Sequence, residues 1–143
     1  MVKVGDKVPS ATLKTMGDSG MQDITTEELT TGKKSHAPGF IQHAADLKAK
    51  GVDTIACVSV NDAFVMDAWA KDLAAGSAVL FLADGNGEFT KGMDLEMDGS
   101  GFGLGKRSQR YAAVIEDGVI TKLEVESGPG LTCSAADNIL TLL

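Results

Sequence analysis

The sequence predicts an α/β fold, a central mixed β-sheet flanked by helices, built as one domain. Three observations lead there. Short β-branched runs alternate with segments of helical period through the middle of the chain. A hairpin signal follows them, and an apolar helical segment closes the sequence. The length, 143 residues, holds one domain with a real hydrophobic core and needs no disulfide staples.

The elements are justified in order. Ala11 to Leu13 reads as a weak strand, and Gly17 to Gly20 as a turn. Thr25-x-x-Glu28 has capping-box spacing and starts a short helix. Gly32-Lys33-Lys34 closes a loop. Pro38 to Lys50 reads as helix, with Phe40, Ala44 and Leu47 on one face, Ile41 and Ala45 beside them, and Gly51 just past its end. Val52 to Val60 is apolar and β-branched, the pattern of a strand covered on both faces. Asn61-Asp62 caps a helix over Ala63 to Ala75, whose apolar side is read as Phe64, Ala68 and Trp69. Phe64 and Trp69 are assigned to the core or to a subunit contact.

Ala78 to Ala83 is a further strand, ended by Asp84-Gly85-Asn86-Gly87, and Glu88 to Leu95 is a short helix. Asp98 to Gly105 reads as a Gly-rich loop. It lacks the Gly-Lys-Ser/Thr ending of a phosphate loop and follows no strong strand, so that function is rejected. Arg110 to Ile115 and Val119 to Val125 are strands joined by Glu116-Asp117-Gly118. Ser134-x-x-Asp137 opens the last helix. This element order is that of a thioredoxin-like fold.

A formal net charge of -7 disfavours nucleic acid and an anionic membrane surface as partners. The first fourteen residues alternate charged and apolar side chains, and no run approaches a membrane span. With two cysteines, Cys57 and Cys133, the expectation is a cytoplasmic protein in a reducing compartment. Two Cys and two His (His36, His43) lack metal-site spacing, so no metal or cofactor is expected. Both histidines are placed about two turns apart on the first long helix, in structural roles.

Five strings in order carry a family resemblance: His36-Ala37-Pro38-Gly39-Phe40, Ser59 to Met66, Phe81 to Gly85, Arg107-Ser108-Gln109-Arg110-Tyr111-Ala112, and Gly130-Leu131-Thr132-Cys133-Ser134. Together, from about Val4 to Leu143, the chain resembles the type II (atypical, peroxiredoxin-five-like) peroxiredoxins of the thioredoxin-like superfamily. The resemblance implies a thiol-dependent peroxidase that reduces hydrogen peroxide and alkyl hydroperoxides. It implies recycling by thioredoxin, or by glutaredoxin with glutathione, and suggests a homodimer.

One departure stands out. Between Lys34 and Ser35 the family has an apolar strand and a Pro-x-x-x-Thr-x-x-Cys loop that bears the peroxide-attacking cysteine. Here Lys34 runs directly into Ser35. One central strand is therefore expected to be missing from the sheet, leaving open edges and a thinner core. Two accounts fit: this is a shortened form of a polypeptide that carries the segment, or a genuine deletion variant. The alternative function, from another class, is a redoxin-like binding or dimerisation module without catalysis.

Peroxide reduction needs a thiolate, a donor that aligns the peroxide and water-poor walls. Arg110 matches the family's catalytic arginine by its place before Tyr111; on chemistry alone it would be an ordinary strand-edge Arg. Cys133 matches a resolving thiol. Its place before a helix favours a thiolate, and an inert cysteine in a cap fits equally well. Cys57 matches a cysteine proposed as a redox partner in some members, but its strand favours a small buried hydrophobe. Cys133 is accordingly expected to react before Cys57.

Overall fold

The computed structural model describes residues 2–30, 34–36, 41–128 and 130–143. Gly32-Lys33 of the loop, the helix start at Pro38 and the apolar position Phe40 lie outside them. Seven strands form the main sheet: β1 (Thr12–Gly17), β2 (Gly20–Thr25), β3 (Lys34–His36), β4 (Thr54–Ser59), β5 (Leu80–Ala83), β8 (Tyr111–Glu116) and β9 (Val119–Val125). Their spatial order is β2-β1-β5-β4-β3-β8-β9. The centre, β5-β4-β3, is parallel, and antiparallel pairs flank it. A separate hairpin pairs β6 (Glu96–Asp98) with β7 (Lys106–Ser108) around a 3₁₀ turn at Ser100–Phe102.

Alternation along the strands sends side chains to two cores. Ile55 and Cys57 of β4 and Ala112 and Val114 of β8 join one core. There they meet Leu47 of α2 (Ala44–Ala49), Met66 of α3 (Ala63–Asp72) and Ile139 of α5 (Ala136–Leu142). Ala56 of β4 and Tyr111, Ala113 and Ile115 of β8 join the other. Leu29 of α1 (Thr26–Thr30) and Phe89 of α4 (Glu88–Gly92) cover that face.

The local signals fold as read. Thr25 and Glu28 form a reciprocal capping box, the Thr25 N–H donating to Glu28 Oε2 at 3.3 Å and the Glu28 N–H to Thr25 Oγ1 at 3.2 Å. Asp62 Oδ1 accepts from the Val65 N–H at 2.8 Å and caps α3, worth about 1 kcal/mol. Gly51 takes a φ of 92°, the left-handed step that ends α2.

Three expectations are corrected. The central strand position is filled, not open. Ser35 pairs with Thr54 on one side and Ile115 on the other. The strand is only three residues long, so among the described residues Ala56 to Ser59 have no β3 partner. His36 lies in this strand and not on the long helix, which begins at Ala44 with His43 just before it.

The buried face of α3 is also not the one read from the pattern. Ala63 and Met66 are buried, while Phe64, Ala68 and Trp69 are exposed. Both faces of α3 carry apolar residues, so periodicity alone does not choose. Ala63 lets the helix approach the sheet closely, and Met66 is the large side chain it sends into the core. The Gly-rich segment from Asp98 to Gly105 is the loop of the β6–β7 hairpin, with only its first residue, Asp98, paired in a strand.

Candidate active site

A cavity of about 360 Å³ opens at the C-terminal end of β4. That is where ligands gather in open α/β sheets, because strand ends and helix starts converge there. Cys57, Ser59 and Asn61 line one side, Arg107 and Arg110 the other, and Trp69 leans over from α3. The Trp69 ring stands edge-on to Phe81, with centroids 5.2 Å apart and planes at 88°.

Arg110 sits immediately before β8, exposed, at the boundary between this cavity and a neighbouring hollow that reaches Glu126. Among the described residues its guanidinium makes no hydrogen bond or ion pair, which leaves its planar fork available to an incoming oxygen. Its backbone carbonyl accepts from the Glu126 N–H at 2.9 Å.

Arg107 is a residue the sequence reading quoted in a string but did not single out. Its Nη1 donates to the Val60 carbonyl at 2.7 Å and to Asn61 Oδ1 at 3.0 Å. Its Nε donates to the Leu104 carbonyl at 2.9 Å. Asn61 Nδ2 in turn donates to Ser59 Oγ at 2.7 Å. Arg107 thus ties the β6–β7 hairpin to the β4–α3 junction and fixes that wall of the cavity. The signal for it was present: a second arginine three residues before Arg110 in one family-like string.

The two thiols are free and differ sharply. Cys57 is 2% exposed, and burial pushes its thiol up to about 12. It has the environment of the small buried hydrophobe that its strand predicted. Cys133 is partly exposed and flanked by Leu131 and Ser134, which line the cavity.

The thiolate-favouring environment expected for Cys133 is not present. Its pKa is raised, first by desolvation and then by the negative charges of Glu126 and Glu124. The thiol donates to the Val125 carbonyl at 3.5 Å. The nearby N–H groups that would have stabilised a thiolate go instead to a carboxylate, Glu126.

His43 has a structural place. Its Nδ1 lies 3.6 Å from Asp46 and its Nε2 3.1 Å from Asp137, linking α2 to α5. The side chain of His36 lies outside the described residues. Among the described residues no group of three or more His, Cys, Asp or Glu could hold a metal. Among the described residues no helix is long and apolar enough to cross a membrane.

Comparison with known proteins agrees with this geometry. The redoxin family model matches residues 3–140. Chloroplastic peroxiredoxin-2E of Arabidopsis thaliana is 43% identical over 162 aligned positions, covering 99% of this chain and 69% of that protein. Peroxiredoxin-2B of the same plant is 42% identical over 159 positions, covering 99% and 98%. Both alignments are longer than the 143 residues here, so each relative carries residues this chain lacks. The crystal structure of reduced Prx3 from Vibrio vulnificus in complex with hydrogen peroxide superimposes with a TM-score of 0.93. It is 45% identical, with 99% of both chains covered.

Proposed function

This chain belongs to the peroxiredoxins, within the redoxin family, and on that premise we propose that it is a thiol-dependent peroxidase acting on hydrogen peroxide and alkyl hydroperoxides at the cavity beside Arg110. The observation that carries the reading is the cavity itself. Two arginines face it, apolar walls limit water, and β3 runs parallel to β4 toward the same end of the sheet. The family's cysteine segment enters the chain within that strand, between Lys34 and Ser35.

In the reaction a thiolate attacks one peroxide oxygen and the O–O bond breaks. The departing oxygen takes a proton and leaves as water or alcohol, and the sulfur becomes a sulfenic acid. A second thiol attacks the sulfenic sulfur, water departs and a disulfide forms. Thioredoxin, or glutaredoxin with glutathione, returns two electrons and two protons. Arg110 supplies a fixed positive charge that aligns the peroxide and stabilises charge on the breaking bond. Cys133 is the resolving thiol. The attacking cysteine belongs to the segment that relatives carry between the positions of Lys34 and Ser35. The fast first step is therefore assigned to forms of the protein that contain it.

The test is Arg110→Lys in such a form. Lys keeps the charge and loses the two-pronged donor. Peroxide reduction is expected to fall about 10²- to 10³-fold, while the thermal midpoint hardly moves because Arg110 is exposed. Unchanged rates would return Arg110 to an ordinary strand-edge role.

A homodimer and a cytoplasmic location are proposed alongside. Phe64 and Trp69 of α3, Leu73 just past its end, Phe102 and Leu131 are exposed large apolar side chains of the kind a subunit contact would cover. Sedimentation velocity reads it directly: a monomer at micromolar concentration removes the dimer. Two free thiols suit a reducing compartment.

A further inference from the structure

Glu126 follows β9 and is 9% exposed. Its carboxylate accepts four hydrogen bonds from the two residues on either side of Cys133. The Thr132 N–H and hydroxyl donate at 2.7 Å each, the Ser134 N–H at 2.9 Å and the Ser134 hydroxyl at 2.7 Å. The Glu126 N–H itself donates to the carbonyl of Arg110. A single buried acid therefore grips the segment that bears the thiol and is anchored to the backbone of the site arginine. None of this is needed to end a strand, and a buried carboxylate held this way is costly unless every bond is made.

We propose that Glu126 is a positioning residue that holds Cys133 in a closed, protonated resting state, so that Cys133 becomes an attacking thiol only when the four-bond clamp opens. The assignment rests on the resolving role proposed above for Cys133. Three features act together. The clamp takes up the N–H groups of Thr132 and Ser134, which would otherwise stabilise a thiolate. It sets a negative charge beside the sulfur. It also holds the segment so that the thiol stays turned to the Val125 carbonyl. Glu124, at the end of β9, adds to the same field. Asp137 of α5 is turned to His43 at the start of α2.

Acid is not the trigger. The Thr132 hydroxyl, the Ser134 N–H and hydroxyl and the Thr132 N–H hold the Glu126 carboxyl down at about 2, against an ordinary 4.5. A carboxyl with a lowered pKa stabilises the fold fully above its ordinary value and loses that contribution only as the pH falls through the lowered one. The clamp therefore stays shut across the neutral range. Its release belongs to the catalytic cycle, when the segment must move to bring the two sulfurs within bonding distance.

The experiment uses the 143-residue chain and a small alkylating thiol reagent, with peptide mass mapping to assign each cysteine across pH 6–10. In the wild type Cys133 labels slowly and Cys57 hardly at all. Glu126→Gln is expected to speed Cys133 severalfold at neutral pH and move its pH–rate profile to lower pH, with Cys57 still protected. A profile that superimposes on the wild type overturns the proposal.

If Glu126→Gln unfolds, seen as Cys57 labelling as fast as Cys133, Ser134→Ala decides. It drops one clamp bond and keeps the charge. Faster Cys133 labelling supports the clamp; an unchanged rate overturns it. The resolving role is read separately, from recycling in a form with the attacking cysteine. If Cys133→Ser leaves that recycling intact, Cys133 is not the resolving thiol, while the labelling result still judges the clamp.

Discussion

Given hydrogen peroxide and a thioredoxin or glutaredoxin–glutathione system, the 143-residue chain is expected to consume peroxide about 10³-fold or more slowly than a form carrying the cysteine segment between Lys34 and Ser35. The supply of thiolate sets the rate. Only the thiolate attacks an O–O bond at a useful rate. With its thiol at about 12, Cys57 offers roughly one thiolate in 10⁵ molecules at pH 7. It is also almost fully buried. Cys133 is reachable, but desolvation and two glutamates hold it in the thiol form. What remains is the slow reaction of an ordinary cysteine near the cavity. The measurement is peroxide loss against time, with intact mass confirming which form is in the cuvette. Family-like rates from a chain of 143 residues would mean that Cys133 or Cys57 is activated by a rearrangement of the site.

The second large effect concerns β3. Ser35→Pro is expected to cost several kcal/mol, a large part of the roughly 5–15 kcal/mol that holds a typical domain together. Ser35 is the middle residue of a strand paired on both sides, to Thr54 and to Ile115. Proline there removes a ladder donor and its ring crowds the neighbouring strand; central strands do not tolerate it. The loss also falls where, among the described residues, three strand residues join the β5-β4 half of the sheet to the β8-β9 half. Circular dichroism melts of Ser35→Pro and Ser35→Ala make the comparison. The alanine form should melt near the wild type, and the proline form well below it or without a sharp transition. Equal melts would mean that Lys34–His36 is not a structural rung and that the two halves are joined by other contacts.

Much of this protein was legible in its sequence, for a reason that can be stated residue by residue. Thr25 and Glu28 form their capping box, Asp62 caps its helix, and Glu116-Asp117-Gly118 turns the β8–β9 hairpin, because each of these depends on neighbours a few residues away. Thr54 to Ser59 is a strand because β-branched apolar residues fit no other covered position as well. The five family-like strings carried the identity of the fold and singled out Arg110, which lines the cavity at the end of β4.

Other features were decided by tertiary structure. Lys34-Ser35-His36 has no strand character of its own; it is a strand because β4 and β8 present unpaired edges on both sides. The inner face of α3 is chosen by how closely Ala63 and Met66 approach the sheet, which leaves the larger Phe64 and Trp69 outside. The state of Cys133 turns on Glu126, seven residues earlier in the chain. The path from β9 to α5 folds the segment back until its N–H groups reach that carboxylate before they can serve the sulfur. Sequence alone places a cysteine near a helix start. Which group wins the donors is a matter of distance, and distance is what the fold supplies.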